Sequence, residues 1–349
     1  MFFASDNTGP VPQQVLDALA EVNTGYQSGY GADDYTQKAA DMVRDVFEAP
    51  EAAVYFVATG TAANSLALAC YSNPWDTIFC SPVAHIHEDE CNAPEFYSNA
   101  KLTLVGDSDK IDPDALRRAI LNEEIRGVHG PQRGPVSITQ ITEKGRAYSL
   151  DEIKAVCDVA KEFGLPVHLD GARFANAIQH LGCTPAEMSW KAGVDVVSFG
   201  GTKNGLMGVE AVVFFDKAKA WEFELRRKRG AHLFSKHRYL AAQMIGFLRD
   251  GLWLDLAQKA NERGAQLAQH IRDIPQTELM YEPAANLLFF KMPRYLHRLV
   301  MAEGAVYYPW EDLDVGNDDD MVIGRLVCDW SSDAADIDRF AETIQRFAK

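Results

Sequence analysis

The sequence has few of the features that mark secreted or membrane proteins. Its six cysteines are dispersed among 349 residues and include no Cys-x-x-Cys pair, which argues against a disulfide framework or a zinc knuckle. No apolar run approaches the roughly 18 residues that a transmembrane helix needs. The first residues also lack the basic region and the long apolar region of a signal peptide. We therefore predict a cytoplasmic protein with buried free thiols and no membrane association.

Basic residues are also scarce. The chain carries 34 Lys and Arg against 50 Asp and Glu, a formal net charge of -16. Such a charge repels phosphodiester backbones and anionic membrane surfaces, so no nucleic-acid partner is expected. The apolar fraction of 47% and the charged fraction of 24% are those of an ordinary folded globule. The length favours two domains, at about 100–200 residues for each.

Short apolar runs rich in β-branched and aromatic residues recur along the first two thirds of the chain. They are Val54–Val57, Thr77–Cys80, Lys101–Val105, Val136–Thr139, Pro166–Leu169, Asp195–Phe199 and Ala211–Phe215. Helical patterns separate several of them, and the clearest begins at the capping-box pair Ser149 and Glu152 and stops at Gly164. Seven buried strands alternating with helices predict an α/β domain with a mainly parallel seven-stranded sheet and helices on both faces.

The pattern changes after about Arg238. A long helical stretch reaches Arg272, a strand pattern follows at Leu287–Lys291, and the chain ends in a helix near Arg346. This succession predicts a smaller α+β domain at the C-terminus. We place the boundary so that residues 1–248 form an N-terminal arm and the large domain, and residues 249–349 form the small domain.

Two segments place polar groups at the ends of predicted strands, where α/β sheets bind ligands. In residues 58–64 a strand runs through Thr59, Gly60 and Thr61 into a helix. The backbone N–H groups and hydroxyls there would bind a phosphate, although an ordinary turn fits equally well. Another strand ends on Asp170, whose carboxylate suits a protonated heterocycle nitrogen. Taken alone, Asp170 is more simply interpreted as a helix N-cap.

A third segment carries a lysine after two glycines, in the order Gly200, Gly201, Thr202, Lys203. Desolvation lowers the pKa of a lysine, and the neutral amine can condense with an aldehyde. Lysines in loops are more often solvated than desolvated and reactive. The order of the three segments, each at a strand end, favours a single shared pocket.

That order resembles the pyridoxal phosphate enzymes of the aspartate aminotransferase fold. More closely, the chain resembles the low-specificity L-threonine aldolases throughout its length. The Asp-Gly-Ala-Arg element at 170–173 and the Lys-Asn-Gly element at 203–205 are its most specific motifs. The resemblance also rests on residues 4–7, 29–34, 59–64, 84–85, 168–173, 198–205 and 325–327.

The resemblance implies a pyridoxal 5'-phosphate site in the large domain. Lys203 would form the Schiff base with the cofactor, and Asp170 would partner its pyridinium nitrogen. His85 would stack on the cofactor ring and is the candidate for taking the proton of the β-hydroxyl. The implied cofactor-binding residues are Thr59, Gly60, Thr61, His85, Asp170, Arg173, Lys203 and Lys228.

The resemblance also implies a substrate site shared between subunits. The implied substrate-binding residues are Ser5, Tyr30, His129, Arg173 and Arg325. Arg173 and Arg325 would bind the substrate carboxylate together with Ser5, and Arg325 would make a bidentate pair. His129 would reach the substrate hydroxyl, and Lys228 would enter the site of a neighbouring subunit. The expected assembly is a homodimer or homotetramer.

The predicted function is that of a carbon-carbon lyase. It would cleave a β-hydroxy-α-amino acid, L-threonine or L-allo-threonine, reversibly to glycine and an aldehyde. A β-eliminating lyase or an aminotransferase of the same cofactor class would keep the same lysine and aspartate. Rivals of other classes are a non-catalytic binding protein and a metal-dependent hydrolase built on His85 and His87, which a strand would place on one face. We expect no metal.

Overall fold

A computed structural model describes residues 1–123 and 125–348. The helices are Gln13–Val22 (α1), Asp34–Val46 (α2), Gly60–Cys70 (α3), His85–Glu88 (α4), Ala93–Ser98 (α5), Pro113–Asn122 (α6), Leu150–Glu162 (α7), Phe174–Leu181 (α8), Ala220–Arg229 (α9), Arg238–Leu248 (α10), Leu252–Asp273 (α11), Arg294–Ala302 (α12) and Ala334–Phe347 (α13). The strands are Ala53–Val57 (β1), Asp76–Cys80 (β2), Lys101–Leu104 (β3), Gln132–Thr139 (β4), Val167–Gly171 (β5), Val196–Gly200 (β6), Glu210–Phe214 (β7), Glu278–Leu279 (β8), Leu287–Pro293 (β9), Tyr308–Pro309 (β10) and Met321–Val327 (β11).

The larger sheet has seven strands in the order β1-β7-β6-β5-β4-β2-β3. Only β7 runs antiparallel to its neighbours, and the other pairings are parallel. The fold class predicted from the sequence is confirmed, and each of the seven predicted apolar runs forms a strand. The strand β4 begins at Gln132 rather than Val136, because its polar first residues pair with β2 at Asp76 and Thr77.

Local sequence signals account for the clearest helix, α7. The Ser149 hydroxyl accepts a hydrogen bond from the Glu152 N–H at 3.2 Å, and the Glu152 carboxylate accepts one from the Ser149 N–H at 2.7 Å. This capping box satisfies two N–H groups that a helix start otherwise leaves free. Gly164 follows the helix with φ +67°, the left-handed conformation that favours glycine.

The smaller sheet has four antiparallel strands in the order β10-β11-β9-β8. It packs with α12, α13 and the second half of α11 around its own apolar core, to which Leu267 and Phe340 belong. Trp253, near the start of α11, belongs instead to the core of the large sheet. Phe3 packs edge-on against Phe340 at 5.2 Å between ring centroids. The N-terminal residues therefore join the small core, and the domain boundary after residue 248 stays a prediction.

The topology brings the carboxyl ends of β4, β5 and β6 together. Thr139 pairs with Asp170, and Asp170 pairs with Ser198. Behind them, the buried imidazole of His168 hydrogen-bonds Ser137 through Nδ1 at 2.9 Å and Ser198 through Nε2 at 3.0 Å. Burial lowers the pKa of His168 to about 4, so the ring is neutral at physiological pH. A neutral side chain thus links the three strands that carry the site.

The character of the helices and the burial of the cysteines can be compared with the expectations from the sequence. None of the helices in residues 1–123 and 125–348 has the length and apolar character that crossing a membrane requires. All six cysteines are free thiols, and four are buried, namely Cys70, Cys80, Cys157 and Cys328. The prediction of buried thiols is wrong for Cys91, which is exposed, and for Cys183, which is partly exposed.

The aromatic side chain of Phe199 links β6 to the surrounding helices. Its ring lies 5.5 Å from those of Phe47 and Phe174 and 5.6 Å from that of Trp253, measured between centroids. We expect Phe199→Ala to lower the free energy of unfolding by about 3–5 kcal/mol, since it leaves a cavity in a close-packed core. Urea unfolding measures this change. Tyr26→Ala removes a fully exposed ring and serves as control, so equal losses in both variants would contradict the assignment.

Candidate active site

A cavity of about 470 Å³ opens at the edge of the sheet where β4, β5 and β6 end. The predicted site residues that line it are Thr59, Gly60, Thr61, His85, Asp170, Arg173 and Lys203. Asn7, Asn64, Asp89, Glu143, Thr202 and Glu210 line it as well. The three strand-end segments that were singled out in the sequence therefore meet in one pocket.

The N-terminus of α3 faces this cavity. Thr59 occupies the N-cap position, and its hydroxyl accepts a hydrogen bond from the Ala62 N–H at 3.2 Å. That contact leaves the hydroxyl proton of Thr59 free to donate. A Cβ placed on Gly60 would meet nothing within 4 Å, so the first turn of the helix is open to the pocket. The free N–H groups and the positive end of the helix dipole suit an anion such as phosphate.

Asp170 lies buried at the end of β5 and is only 3% exposed. One carboxylate oxygen accepts a hydrogen bond from the Ala172 N–H at 3.0 Å, and the other accepts one from the Asn64 side-chain amide at 2.8 Å. The helix α8 begins at Phe174 with Arg173 in the N-cap position. The interpretation of Asp170 as a helix cap is therefore wrong, and the carboxylate is available to a ligand in the cavity.

Two glycines let the chain pass from β6 to Lys203. A Cβ on Gly200 would lie 2.5 Å from the carbonyl oxygen of Ala172, and one on Gly201 would lie 2.6 Å from a methyl carbon of Leu206. Both approaches are too close for any other residue without a shift of the structure. Lys203 follows in a short 3-10 turn and is partly buried. Within residues 1–123 and 125–348, its amine makes no hydrogen bond or ion pair.

Two further contacts fix the lysine turn. The side-chain amide of Asn204 donates a hydrogen bond to the carbonyl of Trp253 at 2.8 Å. The Gly201 N–H donates to the buried carboxylate of Glu210 at 2.7 Å. Burial raises the pKa of Glu210 to about 7. Sequence reasoning missed Glu210, because an acidic residue at the start of a strand looks like an ordinary strand boundary.

His85 begins the four-residue helix α4, and its ring is partly exposed to the cavity. The expectation that His85 and His87 share one face of a strand is wrong, since residues two apart on a helix point about 200° apart. His85, Glu90 and Asp170 do each offer a potential metal ligand, within 4.8 Å of one another. The Asn64 amide donates to both Glu90 and Asp170, at 2.9 and 2.8 Å, so we interpret this cluster as a hydrogen-bond network.

Arg173 already has a carboxylate partner. Its Nε and Nη2 donate to Asp6 at 2.7 and 3.0 Å, and the Asn286 side-chain amide donates to the same carboxylate at 3.0 Å. Both members of this ion pair are buried. Burial opposes the charge of Asp6, but attraction to Arg173 and Lys203 and these hydrogen bonds together hold its pKa below the usual carboxyl value. The pair fixes Arg173 at the cavity wall.

Arg325 lines a neighbouring cavity of about 310 Å³, which shares Asp89 and Glu143 with the first. Its Nη2 donates to the carbonyl of Ala4 at 3.0 Å, while its Nε is buried and has no hydrogen-bond partner among the described residues. Burial lowers the pKa of Arg325, and the charge of Arg173 adds to this effect. A partly desolvated guanidinium with a free N–H suits an anionic ligand.

The remaining predicted residues do not line this cavity. Ser5 lines a separate pocket, and its hydroxyl accepts a hydrogen bond from the Asn7 N–H at 3.1 Å. Lys228 and Tyr30 are exposed, and the Lys228 amine lies over the Tyr30 ring at 4.8 Å from the centroid. His129 is exposed in a short turn before β4, at the opposite end of that strand from the site. Roles for these four residues stay predictions.

A helix N-terminus, an aspartate and a lysine at the ends of a mainly parallel sheet define the class of the type I pyridoxal phosphate enzymes. The model of the β-eliminating lyase family matches residues 3–293. The low-specificity L-threonine aldolase of Pseudomonas aeruginosa is 40% identical over 345 residues, which cover 98% of this chain and 96% of that protein. The chain belongs to this family of β-eliminating lyases and threonine aldolases.

Solved structures agree with the family at the level of the fold. The threonine aldolase of Leishmania major is similar with a TM-score of 0.92 and 26% identity, over 100% of this chain and 99% of that one. Mouse CSAD is similar with a TM-score of 0.76 over 99% of this chain and 83% of that one. Its 14% identity shows a common fold alone.

The buried pair of Asp6 and Arg173 generates a pH-dependent prediction. We expect Asp6→Asn to lower the free energy of unfolding by about 3–5 kcal/mol, because it leaves Arg173 buried without its counterion. The pKa of Asp6 is lowered in the folded protein. Its charge therefore contributes stability above the ordinary carboxyl pKa, and that stability is lost as the pH falls through the folded-state value.

Urea unfolding between about pH 3 and pH 7 measures the difference between Asp6→Asn and the unaltered protein. The difference should be constant at the higher pH values and shrink below about pH 4. Asp17→Asn, at an exposed carboxylate that accepts a hydrogen bond from Gln13, is the matched control. A loss that does not change with pH would contradict the role of the Asp6 charge.

Proposed function

We propose that this protein binds pyridoxal 5'-phosphate and cleaves L-threonine or L-allo-threonine reversibly to glycine and acetaldehyde. The observation that carries the proposal is the meeting of Lys203, Asp170 and the open N-terminus of α3 in one cavity that His85 also lines. Sequence identity of 40% with a low-specificity L-threonine aldolase over nearly the full chain supports it.

The residues of the cavity fit the cofactor. The first turn of α3 would hold the phosphate, since a Cβ on Gly60 would meet nothing within 4 Å and the hydroxyl proton of Thr59 is free to donate. The Asp170 carboxylate would accept a hydrogen bond from the ring nitrogen, and the unpaired amine of Lys203 would hold the aldehyde carbon. When bound, the cofactor supplies a ring that draws electrons from the bond that breaks at the α-carbon.

Two arginines are proposed to orient the substrate. Arg325 would bind its carboxylate, assisted by the Nη1 group that the contacts with Asp6 leave on Arg173. Fixing the carboxylate would fix the orientation of the α-carbon and so select which of its bonds breaks. His85 would hold the β-hydroxyl and take its proton. Loss of this proton drives cleavage between the α- and β-carbons.

An alternative is another reaction of the same cofactor class, such as β-elimination or transamination. These reactions also need a lysine and an aspartate, but they remove the α-proton rather than the proton of the β-hydroxyl. The 40% identity with a low-specificity L-threonine aldolase supports cleavage. The products distinguish the two cases, because cleavage releases acetaldehyde from threonine, whereas the alternatives release a keto acid.

The functional unit is proposed to be a homodimer or homotetramer with its site at the subunit boundary. Lys228, Tyr30 and His129 are exposed and lie outside the cavity of their own chain, as expected for residues that serve a neighbouring copy. A cytoplasmic location stays a prediction.

The covalent step is tested with Lys203→Ala. We expect this variant to lose the visible absorbance of the lysine-bound cofactor and to cleave L-threonine about 10²–10⁴-fold more slowly, since it lacks both a covalent anchor and a proton-transfer group. Alcohol dehydrogenase coupled to acetaldehyde release measures the rate, and borohydride reduction with peptide mapping locates the adduct. Lys154→Ala, at an exposed lysine paired with Asp158, is the control. An adduct at another lysine, or a keto acid as product, would overturn the proposal.

Sharing of the site is tested by mixing two impaired variants, Lys203→Ala and His129→Ala. If the lysine and the histidine of one site come from different chains, half of the sites in each mixed pair are complete. A statistical mixture of dimers then recovers about one quarter of full activity. Activity equal to the average of the two parents, or an active monomer in sedimentation, would contradict a shared site.

A further inference from the structure

Beneath the cavity lies a carboxylate that the proposed function leaves unused. Glu90 follows α4 and is 3% exposed. Its Oε1 is hydrogen-bonded to Nδ1 of His85 at 2.8 Å and accepts a hydrogen bond from the Asn64 amide at 2.9 Å. The same Asn64 amide nitrogen donates to Asp170 at 2.8 Å. A continuous buried network thus joins the proposed base to the proposed partner of the cofactor ring.

We propose that Glu90 is a positioning residue that fixes His85 in the tautomer with a hydrogen on Nδ1 and so leaves Nε2 as the proton acceptor in the cavity. The proposal rests on the proposed function, in which His85 receives the proton of the β-hydroxyl. It assigns Glu90 no contact with substrate or cofactor.

The hydrogen-bonding chemistry of the three groups supports this assignment. The Asn64 nitrogen lies between two carboxylates, so it must be the donor in both contacts. Burial and the charge of Asp170 raise the pKa of Glu90, whereas its hydrogen bonds with His85 and Asn64 act to lower it. Glu90 Oε1 accepts an N–H from Asn64 and Oε2 accepts the hydroxyl of Ser65, so both oxygens already act as acceptors, as those of an ionised carboxylate do. An ionised carboxylate can only accept, which requires His85 to donate from Nδ1. In a neutral imidazole, Nε2 then carries the lone pair.

The nearby carboxylates favour the protonated form of His85. Burial opposes a charge on His85, but the hydrogen bond to Glu90 and the nearby Asp170 and Glu143 together raise its pKa. Lys203, Arg173 and Asp89 also line the cavity. When His85 takes a proton, it becomes a cation. Glu90 lies in contact with this cation and stabilises it. Glu90 therefore supports both the neutral form that accepts the proton and the charged form that holds it.

A purely structural role is the competing explanation. Glu90 also lies 3.4 Å from the hydroxyl of Ser65, so it could serve only to tether the segment after α4 to α3. If Glu90 served only as a tether, it would affect the free energy of unfolding, but it would set neither the tautomer of His85 nor the pH dependence of the reaction. The test therefore needs readouts of both.

The first readout is the tautomer. In holoenzyme labelled with ¹⁵N-histidine, and with the His85 signal assigned from its loss in His85→Gln, we expect the neutral ring to carry its hydrogen on Nδ1. A hydrogen on Nε2 would overturn the proposal. This measurement does not depend on which reaction the enzyme catalyses, so it separates a failure of this inference from a failure of the proposed function, which would appear as the absence of acetaldehyde.

The second readout is the rate of acetaldehyde release from L-threonine as a function of pH, compared with Glu90→Gln. This substitution removes the negative partner of His85, so the pKa of His85 falls and the acid limb of kcat/KM moves to lower pH. We expect kcat to fall by about 10²-fold, while KM changes little because the carboxylate-binding arginines are untouched. Unchanged kcat and an unchanged acid limb would overturn the proposal.

Two further variants separate positioning from folding. Glu90→Asp keeps the charge on a shorter side chain. We expect this variant to recover part of the rate that Glu90→Gln loses, with an acid limb close to that of the unaltered protein. Glu95→Gln removes a carboxylate from the next helix, whose Oε2 is buried and has no hydrogen-bond partner among the described residues, and should leave rate and pH profile unchanged. If Glu90→Gln fails to fold, Glu90→Asp and the tautomer measurement still decide. Loss of stability in Glu90→Asp with full kcat would leave only the tether.

Discussion

The buried carboxylate of Asp170 is the charge around which the site is arranged. A carboxylate at 3% exposure is stable in its ionised form only if donors replace the water that it has lost. The chain supplies two, the Ala172 N–H at the turn after β5 and the Asn64 amide on α3. These donors come from different elements, so the position of Asp170 depends on the packing of α3 against the sheet.

Acidic and basic groups around the cavity are also paired, because a buried charge needs partners that replace the water it has lost. Arg173 is paired with Asp6, and His85 with Glu90, while Lys203 lies within the electrostatic reach of Asp6, Glu143 and Glu210. Isolated buried charges would cost several kcal/mol each, of the order of the whole stability of a domain. Pairing removes most of this cost. It also fixes the side chains before any ligand binds, which is what orienting a substrate requires.

The sequence predicts the strands and helices of this structure better than the hydrogen-bond partners of its buried polar side chains. The seven strands, the capping box of Ser149 and Glu152 and the strand-end positions of Asp170 and Lys203 follow from periodicity and local hydrogen bonding, which short segments determine. The alternation of His85 and His87 suggests a strand, but the segment folds as a helical turn. Local pattern could not distinguish the two in so short a run.

Two of the polar partners that sequence reasoning missed act through contacts distant in the chain. Asn64 meets Asp170 across 106 positions, and Asp6 meets Arg173 across 167. Glu90 is only five positions from His85, yet it lies in an acidic run that looks like a solvated surface. Burial, rather than residue type, makes it a partner.

The exposed residues of the predicted site lead to a conclusion about assembly. The ammonium group of Lys228 contacts the aromatic ring of Tyr30, and both side chains are exposed to solvent. His129 lies at the amino end of β4, while the cavity lies at its carboxyl end. Movement within one chain cannot bring His129 to the cavity, because β4 is held by β2 and β5 along its length. A contact of His129 with the substrate would therefore require a second copy of the chain, as the proposed homo-oligomer supplies.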